Sequence, residues 1–416
     1  MTLTAADVAL PVASYARQLH AAAGYDHHVA SPLGAWLLLA LCGTASAGEA
    51  RAAVDTTLGC DSGDAADLAA ELLASPHPLV PAAAAAWTSG QLTSGAAARW
   101  LAALPPSVPA SPMPSQADLD EWARRQTFKL IERFPGAPDP ELQLLVATVL
   151  ATRVSWDTPF GLAPATALGL LSPWAARLSQ VLRTPDDHSH HQFVAATAAA
   201  GDVAVHTAWA SSGLTATPAG DLTLFNSAYG VTVTSVAAAP GVPPGQVLAA
   251  AYEIAPAVAA RSEVPRRSLF DLPLGDGPLW SVSERRDTVT SPSGREERCT
   301  AVLPAWSAHS TLDLTPPGLG FDIAMPALVP DQPWGAAQAA MARYTRVGFE
   351  AAAVTSTWGG AGPPEPREGV VRTAELRFGH PYAVVAVAAD WSGGGAWNGL
   401  PVFSAWVARP EDAGPE

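Results

Sequence analysis

The sequence predicts an α+β fold in one domain, with helices in front and a large sheet behind. Three observations predict it. The first third carries apolar residues at helical spacing. Near residue 142 the pattern changes to long β-branched runs. No alternation of strand and helix follows that would build a βαβ array. With 416 residues, 49% of them apolar, the chain has enough material for a large buried core.

Residues 5–23 read as an amphipathic helix with Val8, Val12, Tyr15, Ala16 and Leu19 on one face. In SPLGAWLLLALCG, Ser31 suits an N-cap, Pro32 the first helical position and Gly43 the end. Two short helices are expected over 49–58 and 65–73. SQADLDEWARRQTFKLIERFPG reads as one long helix: Ser115 and Asp118 resemble a capping box, Leu119, Trp122, Leu130 and Phe134 form the apolar side, and Pro135-Gly136 stops it. LQLLVATVLATRVSW has the composition of a strand buried on both faces. Residues 191–262 mix Val/Thr/Ala segments with Gly/Pro turns and read as strands, as do 300–306, 381–389 and 402–407. Stretches 238–245 and 359–369 read as surface loops. No internal repeat is present.

A net charge of −15 leaves no excess of Lys and Arg to neutralise phosphates, which argues against a nucleic-acid partner. Three cysteines, Cys42, Cys60 and Cys299, do not make a disulfide framework and point to a reducing compartment. The N-terminal stretch has no basic start and no apolar run with a small-residue cleavage site, so no signal peptide is read and a cytoplasmic location is expected. No run approaches the roughly 18 apolar residues of a membrane span. Gly and Pro are abundant, at 34 and 39, but the 14 tryptophans argue for a folded chain. A soluble monomer is expected.

Motifs for chemistry are sparse. There is no G-x-S-x-G, H-E-x-x-H, C-x-x-C or P-loop. DDHSHH, residues 186–191, is the densest polar cluster. His188 and His190 would share one strand face, and with His191 and a carboxylate they offer metal ligands. The commoner reading of such a run in an apparent loop is a solvated surface, so neither a metal nor a cofactor is expected. Gly393-Gly394-Gly395 reads as a turn. Trp358 and Trp397 are expected to be exposed, and an exposed Trp can anchor a partner.

Several segments, in order, resemble the serpin family. SPLGAWLLLALCG is similar to its second-helix signature. LDEWARRQTFKLI matches through Leu119, Trp122, Thr127 and Ile131, and LLVATVLATRVSWDTPF through Trp156 and Phe160. VLPAW matches through Val302 and Pro304, RFGHPYAVVAV through Phe378, Pro381 and Tyr382, and PVFSAWVARP through Phe403, Val407 and Pro410. VGFEAAAVT resembles the serpin hinge: Gly348, Phe349, Glu350, Ala351, Ala352, Ala353, Val354 and Thr355. The resemblance covers about residues 5–412. It implies a serpin fold, with N-terminal helices around a large central sheet, two further sheets and an exposed reactive-centre-like loop over 349–370.

In an inhibitory serpin, as the resemblance implies, that loop is cut by a target protease and enters the sheet as a new strand, carrying the acylated protease with it. A strand of about 14 residues at roughly 3.3 Å each moves its end about 46 Å. Small side chains suit the passage, and Ala351, Ala353 and Thr355 would point inward. Other positions depart from the pattern. Phe349 stands where a small hydroxylated residue is usual, and overpacking there costs on the order of 1–3 kcal/mol. Arg346 replaces an acidic residue, Gln338 a histidine and Thr148 an asparagine. Thr152 and Val154 replace an aromatic residue and a glycine. The scissile position falls on Gly362, before Pro363, a poor protease substrate; Arg367-Glu368 is a better bond but lies late. The expectation is a non-inhibitory member that binds a protein or small molecule, with enzymatic action a further option that no motif supports. The alternative is a suicide inhibitor of a serine or cysteine target protease.

Overall fold

The computed structural model describes residues 3–89, 95–127, 129–134, 141–152, 154–186, 188–216, 222–349, 367–390 and 395–414, with the side chains of 211–228 and Phe349 not described. Among them it has eight α-helices: α1 (Ala5–Ala23), α2 (Pro32–Gly43), α3 (Gly48–Leu58), α4 (Ser62–Ala74), α5 (Gly95–Ala103), α6 (Gln116–Gln126), α7 (Pro244–Ala259) and α8 (Phe321–Leu328). A five-stranded sheet runs β15 (Trp306–Asp313), β16 (Trp334–Tyr344), β4 (Leu144–Leu150), β2 (Ala82–Thr88), β3 (Ala110–Pro112). A six-stranded sheet runs β12 (Gly275–Asp276), β13 (Trp280–Val289), β18 (Arg367–Arg377), β14 (Arg295–Leu303), β7 (Gln180–Arg183), β6 (Gly161–Pro164). The largest runs β1 (His28–Ala30), β20 (Pro401–Val407), β19 (Tyr382–Asp390), β10 (Leu222–Ala237), β9 (Gly201–Ala216), β5 (Val154–Ser155), β17 (Gly348–Phe349); β8 (His190–Thr197) also pairs with β9, and β11 (Arg266–Arg267) with β8.

The expected α+β architecture is present, with three sheets. Its centre is α2, every residue of which is buried. Such a helix has no polar face, so its ends carry the polar satisfaction. Ser31 caps it by accepting from Gly34 N at 3.2 Å, and its hydroxyl donates to Val402 O of β20 at 2.7 Å. Ser31 N donates to Gln338 Oε1 at 2.8 Å, and Gln338 Nε2 donates back to Ser31 O at 2.7 Å. One residue thus ties α2 to the five-stranded and the nine-stranded sheet. A Cβ on Gly34 would sit 2.8 Å from Leu150 Cδ1 and 3.3 Å from Gln338 Nε2, so a larger residue there would have to displace the Leu150 side chain.

Strand β4 is buried on both faces, as its composition predicts. Leu144, Val146 and Leu150 join the core of α2, while Leu145, Ala147 and Val149 join Leu119 and Trp122 of α6, with Trp87 and Phe134. Thr148 lies opposite Gln338 across the β4–β16 seam, and its buried hydroxyl has no hydrogen-bond partner among the described residues.

Four expectations are corrected. Helix α6 ends at Gln126 rather than running to Phe134: the Thr127 hydroxyl donates to Ala123 O and accepts from Ile131 N, and Lys129 adopts φ 65°. Side-chain bonding of this kind competes with the helix. Residues 244–259, expected among strands, form α7, whose Val247, Leu248, Ala251, Tyr252, Ile254, Ala255 and Val258 are buried. Pro244 sits in its first turn, and the helix covers β10 and β19. The all-helical reading of the first third misses β2. Its five consecutive alanines pair with β4, and Ala86 also with β3, so packing overrides alanine's helix preference. Trp397 is buried, donating from Nε1 to Ser75 O at 2.9 Å. No described helix is long and apolar enough to cross a membrane.

The seam gives a paired test. Gln338→Ala strands the buried Ser31 N–H and leaves a cavity, so denaturant unfolding is expected to show a loss of about 2–4 kcal/mol. Thr148→Val removes an unsatisfied buried hydroxyl and is expected to gain about 1 kcal/mol in the same measurement.

Candidate functional site: the hinge at the head of the seam

Strands β4 and β16 run parallel and pair from Trp334–Leu144 to Ala339–Val149. Beyond that point they part. β16 continues to Tyr344 against β15 alone, while the chain after β4 bends into β5. The hinge residues Gly348 and Phe349 do not extend the seam. They form β17, antiparallel to β5, with Gly348 opposite Ser155 and Phe349 opposite Val154. β5 pairs in turn with β9, so the start of the loop is stitched to the nine-stranded sheet.

Between β16 and β17 the turn is held at every step. Thr345 N donates to Gly348 O at 3.0 Å, Trp156 N to Val347 O at 3.1 Å, and Phe160 N to Arg346 O at 2.9 Å. Side chains add to it: Trp156 Nε1 donates to Thr345 O at 3.0 Å, and Arg346 Nε to Phe160 O at 3.1 Å. Beneath lies an aromatic block. Trp156 and Tyr344 are 4.8 Å apart between ring centroids, Phe160 and Tyr344 5.7 Å, and Trp306 stacks on Tyr344 at 5.9 Å.

A polar chain runs through the block. His190 Nε2 is 2.7 Å from Thr158 O, His190 Nδ1 is 3.2 Å from His206 Nε2, and His206 Nδ1 is 3.5 Å from the Tyr344 hydroxyl. A carbonyl only accepts, which fixes every tautomer: His190 Nε2–H donates to Thr158, His206 Nε2–H donates to His190, and Tyr344 donates to His206. In these tautomers a proton added at His190 Nδ1 would set two N–H groups face to face, and one added at His206 Nδ1 would displace the bond from Tyr344. Burial above all, then the neighbouring His190 and His191, holds the His206 imidazole well below its usual range. A second chain beneath α1 has the same logic: His28 Nδ1 donates to Asp26 O at 2.8 Å, His20 donates to His28 at 2.6 Å, and Ser404 donates to His20 at 2.6 Å.

The structure places the residues singled out in the sequence as follows. Gly348 and Phe349 lie in β17. Glu350, Ala351, Ala352, Ala353, Val354, Thr355, Trp358, Gly362 and Pro363 lie outside the described residues, as do Gly393 and Gly394. Arg367 and Glu368 begin β18, paired with Val289 and Thr288 of β13, so the strand starts inside the range expected for the loop. β18 is no edge strand, because β14 pairs along its other side. The three histidines line one hollow but are engaged differently: His190 enters the chain under the hinge, His191 lies tilted against Trp209 with ring centroids 4.6 Å apart, and His188 is exposed. Among the described residues no group of three His, Cys, Asp or Glu is placed to hold a metal ion. The sequence reading missed His206 and Tyr344. His206 had a signal, being a lone titratable residue within the apolar run VAVHTAWA.

Histidines kept neutral by burial, while the unfolded chain titrates near pH 6.5, leave the unfolded state binding more protons on acidification. Stability is therefore full above about pH 6.5 and is lost as pH falls towards the depressed folded values. Thermal melts are expected to show a lower midpoint at pH 5.5 than at pH 7.5, and His206→Gln is expected to narrow that gap; equal midpoints in the unsubstituted protein would contradict the assignment.

No protein-family model matches the sequence, and no curated protein matches it. Solved structures do. The chain is similar to a serpin from the trematode Schistosoma haematobium, at 13% identity and a TM-score of 0.56, covering 98% of this chain and 100% of that one. Thyroxine-binding globulin in complex with thyroxine gives 12% identity and a TM-score of 0.60 over 97% and 99% of the two chains. Serpin48 of the insect Tenebrio molitor, described as a highly specific serpin, gives 12% identity and a TM-score of 0.57 over 98% and 99%. These matches span nearly the whole of both chains, and the protein, with its eight described helices and three sheets, has the serpin fold.

Proposed function

We propose that the protein is a non-inhibitory serpin-fold protein that binds a protein or small-molecule partner. The observation that carries this reading is the anchorage of the hinge. To enter the seam, the chain must leave β5, give up the Trp156–Val347 and Phe160–Arg346 backbone bonds, and thread Phe349 first. Overpacking at that entry costs on the order of 1–3 kcal/mol, which, borne by the barrier, slows the passage by roughly fivefold to 150-fold. Protease inhibition is a race between threading and deacylation, so such a delay favours release of an active protease. Pairing of β18 between β13 and β14 holds the far end of the uncut loop and so opposes insertion without cleavage. The complex of thyroxine-binding globulin with thyroxine is a precedent for a small ligand on this fold.

A suicide inhibitor is the second reading, and the seam itself favours it. Two parallel strands can accept a third between them, antiparallel to both, and β16 presents small residues, Ala336, Ala339, Ala340 and Ala342, beside it. Limited proteolysis separates the two. Under the first reading, nicking within 350–366 leaves the melting temperature unchanged and gives no SDS-resistant complex with any of a panel of serine and cysteine proteases. A stable complex, or a large rise in melting temperature on nicking, would overturn it. Phe349→Thr is expected to raise the insertion rate of the nicked form by about tenfold or more, read as a melting temperature that climbs with time after cleavage.

A further inference from the structure

Two adjoining hollows lie where β8 and β11 meet the end of α7. They share His188, His191 and Arg266, and have volumes of about 290 and 510 Å³. Their walls combine flat rings with guanidinium groups. His191 lies tilted on Trp209, with ring centroids 4.6 Å apart. The Arg261 guanidinium carbon is 5.6 Å from the Trp209 centroid, and that of Arg266 is 4.4 Å from Phe193.

In a chain with 38 acidic and 23 basic side chains, arginines readily find carboxylates. Arg267 does, pairing with Asp202 at 3.2 Å. Arg261 and Arg266 have no such ion pair among the described residues. Glu297, the acidic residue on the wall of the smaller hollow, accepts a hydrogen bond from Ser268 instead. Arg261 also holds a left-handed backbone, φ 54°, a conformation that is unfavourable for a residue with a Cβ. It is fixed there by its own N–H to Val258 O at 3.0 Å and by Ser262 N to Ala257 O at 2.8 Å. The close of α7 thereby aims the side chain over Trp209. Burial, then the charges of Arg266, His188 and Arg261, keeps the His191 imidazole below its usual range, although its bond to His188 O works the other way. Arg261 and Arg266 thus stand on the same wall as the ring pair.

We propose that this groove binds a small planar aromatic oxyanion, with its ring against the Trp209–His191 pair and its carboxylate or phosphate oxygens facing Arg261 and Arg266. Guanidinium forks match such oxygens, and the half-buried Trp209 and His191 rings give the groove an apolar wall for a flat partner. The site is remote from the hinge, and its occupation is read without any protease, so it stands whether or not the loop inserts.

Isothermal titration of the intact protein at low salt tests this with four probes: 1-naphthoate, 1-naphthyl phosphate, the neutral 1-naphthalenemethanol and inorganic phosphate. Saturable one-to-one binding of either aromatic anion is expected, and which of the two binds tighter identifies the oxyanion. The alcohol and inorganic phosphate are each expected to bind at least tenfold more weakly. Arg261→Gln and Arg266→Gln are each expected to weaken binding about tenfold, since both groups are partly exposed. Because both side chains lie at the surface, unchanged melting temperatures show that the variants fold. Failure of both aromatic anions to saturate, equal binding of the alcohol, or affinity unmoved by both substitutions would overturn the proposal.

Discussion

The contact on which the rest depends is the paired amide bond between Gln338 and the Ser31 backbone. Helix α2 is buried along its whole length and can offer no side chain to water, so its amino terminus has to be satisfied from within. Ser31 does this while bonding Val402, and Gln338 reaches across from β16 to meet both of its backbone groups. Two sheets and the central helix are therefore registered at one point. In a low-dielectric core a fully satisfied polar junction of this kind specifies one arrangement, because every alternative strands a donor or an acceptor.

The same junction lies on the seam that a loop would have to open. Gln338 and Thr148 face each other across β16 and β4, and the hinge hangs from the head of the same strand. The five-stranded sheet is closed by parallel pairing, while the first residues of the loop are carried off to β5 and the nine-stranded sheet. Under that attachment sit Trp156, Phe160, Tyr344, His190 and His206, an aromatic block threaded by a directional hydrogen-bond chain. Its neutrality is a consequence of burial and of Thr158 O, which dictates the tautomers.

Much of the fold was legible in sequence. The periodicity of α1, the cap and proline of α2, the Ser115–Asp118 box and the double-sided burial of β4 all follow from local chemistry, and the structure agrees with each. Two of the misreadings have a common cause. Ala82–Thr88 and 244–259 are alanine-rich, and alanine fits a helix or a crowded sheet equally well by size. Their state was decided by neighbours: β4 and β3 flank the first, and a sheet face awaits the second. At the hinge, glycine, phenylalanine and the following alanines were readable as a motif, but the β17–β5 pairing was not, since it joins residues nearly two hundred positions apart.

By itself the sequence determined the class of fold, the positions of most elements and the aromatic side chain at the entry to the seam, because each is written in short-range pattern and side-chain size. Only the tertiary structure decided that His190 and His206 stand in one line beneath the hinge, and that Arg261 and Arg266 converge on Trp209 and His191. Those groups come from strands and a helix end that no local periodicity relates, and their chemistry arises from distance, burial and the direction of hydrogen bonds, which exist once the chain has folded.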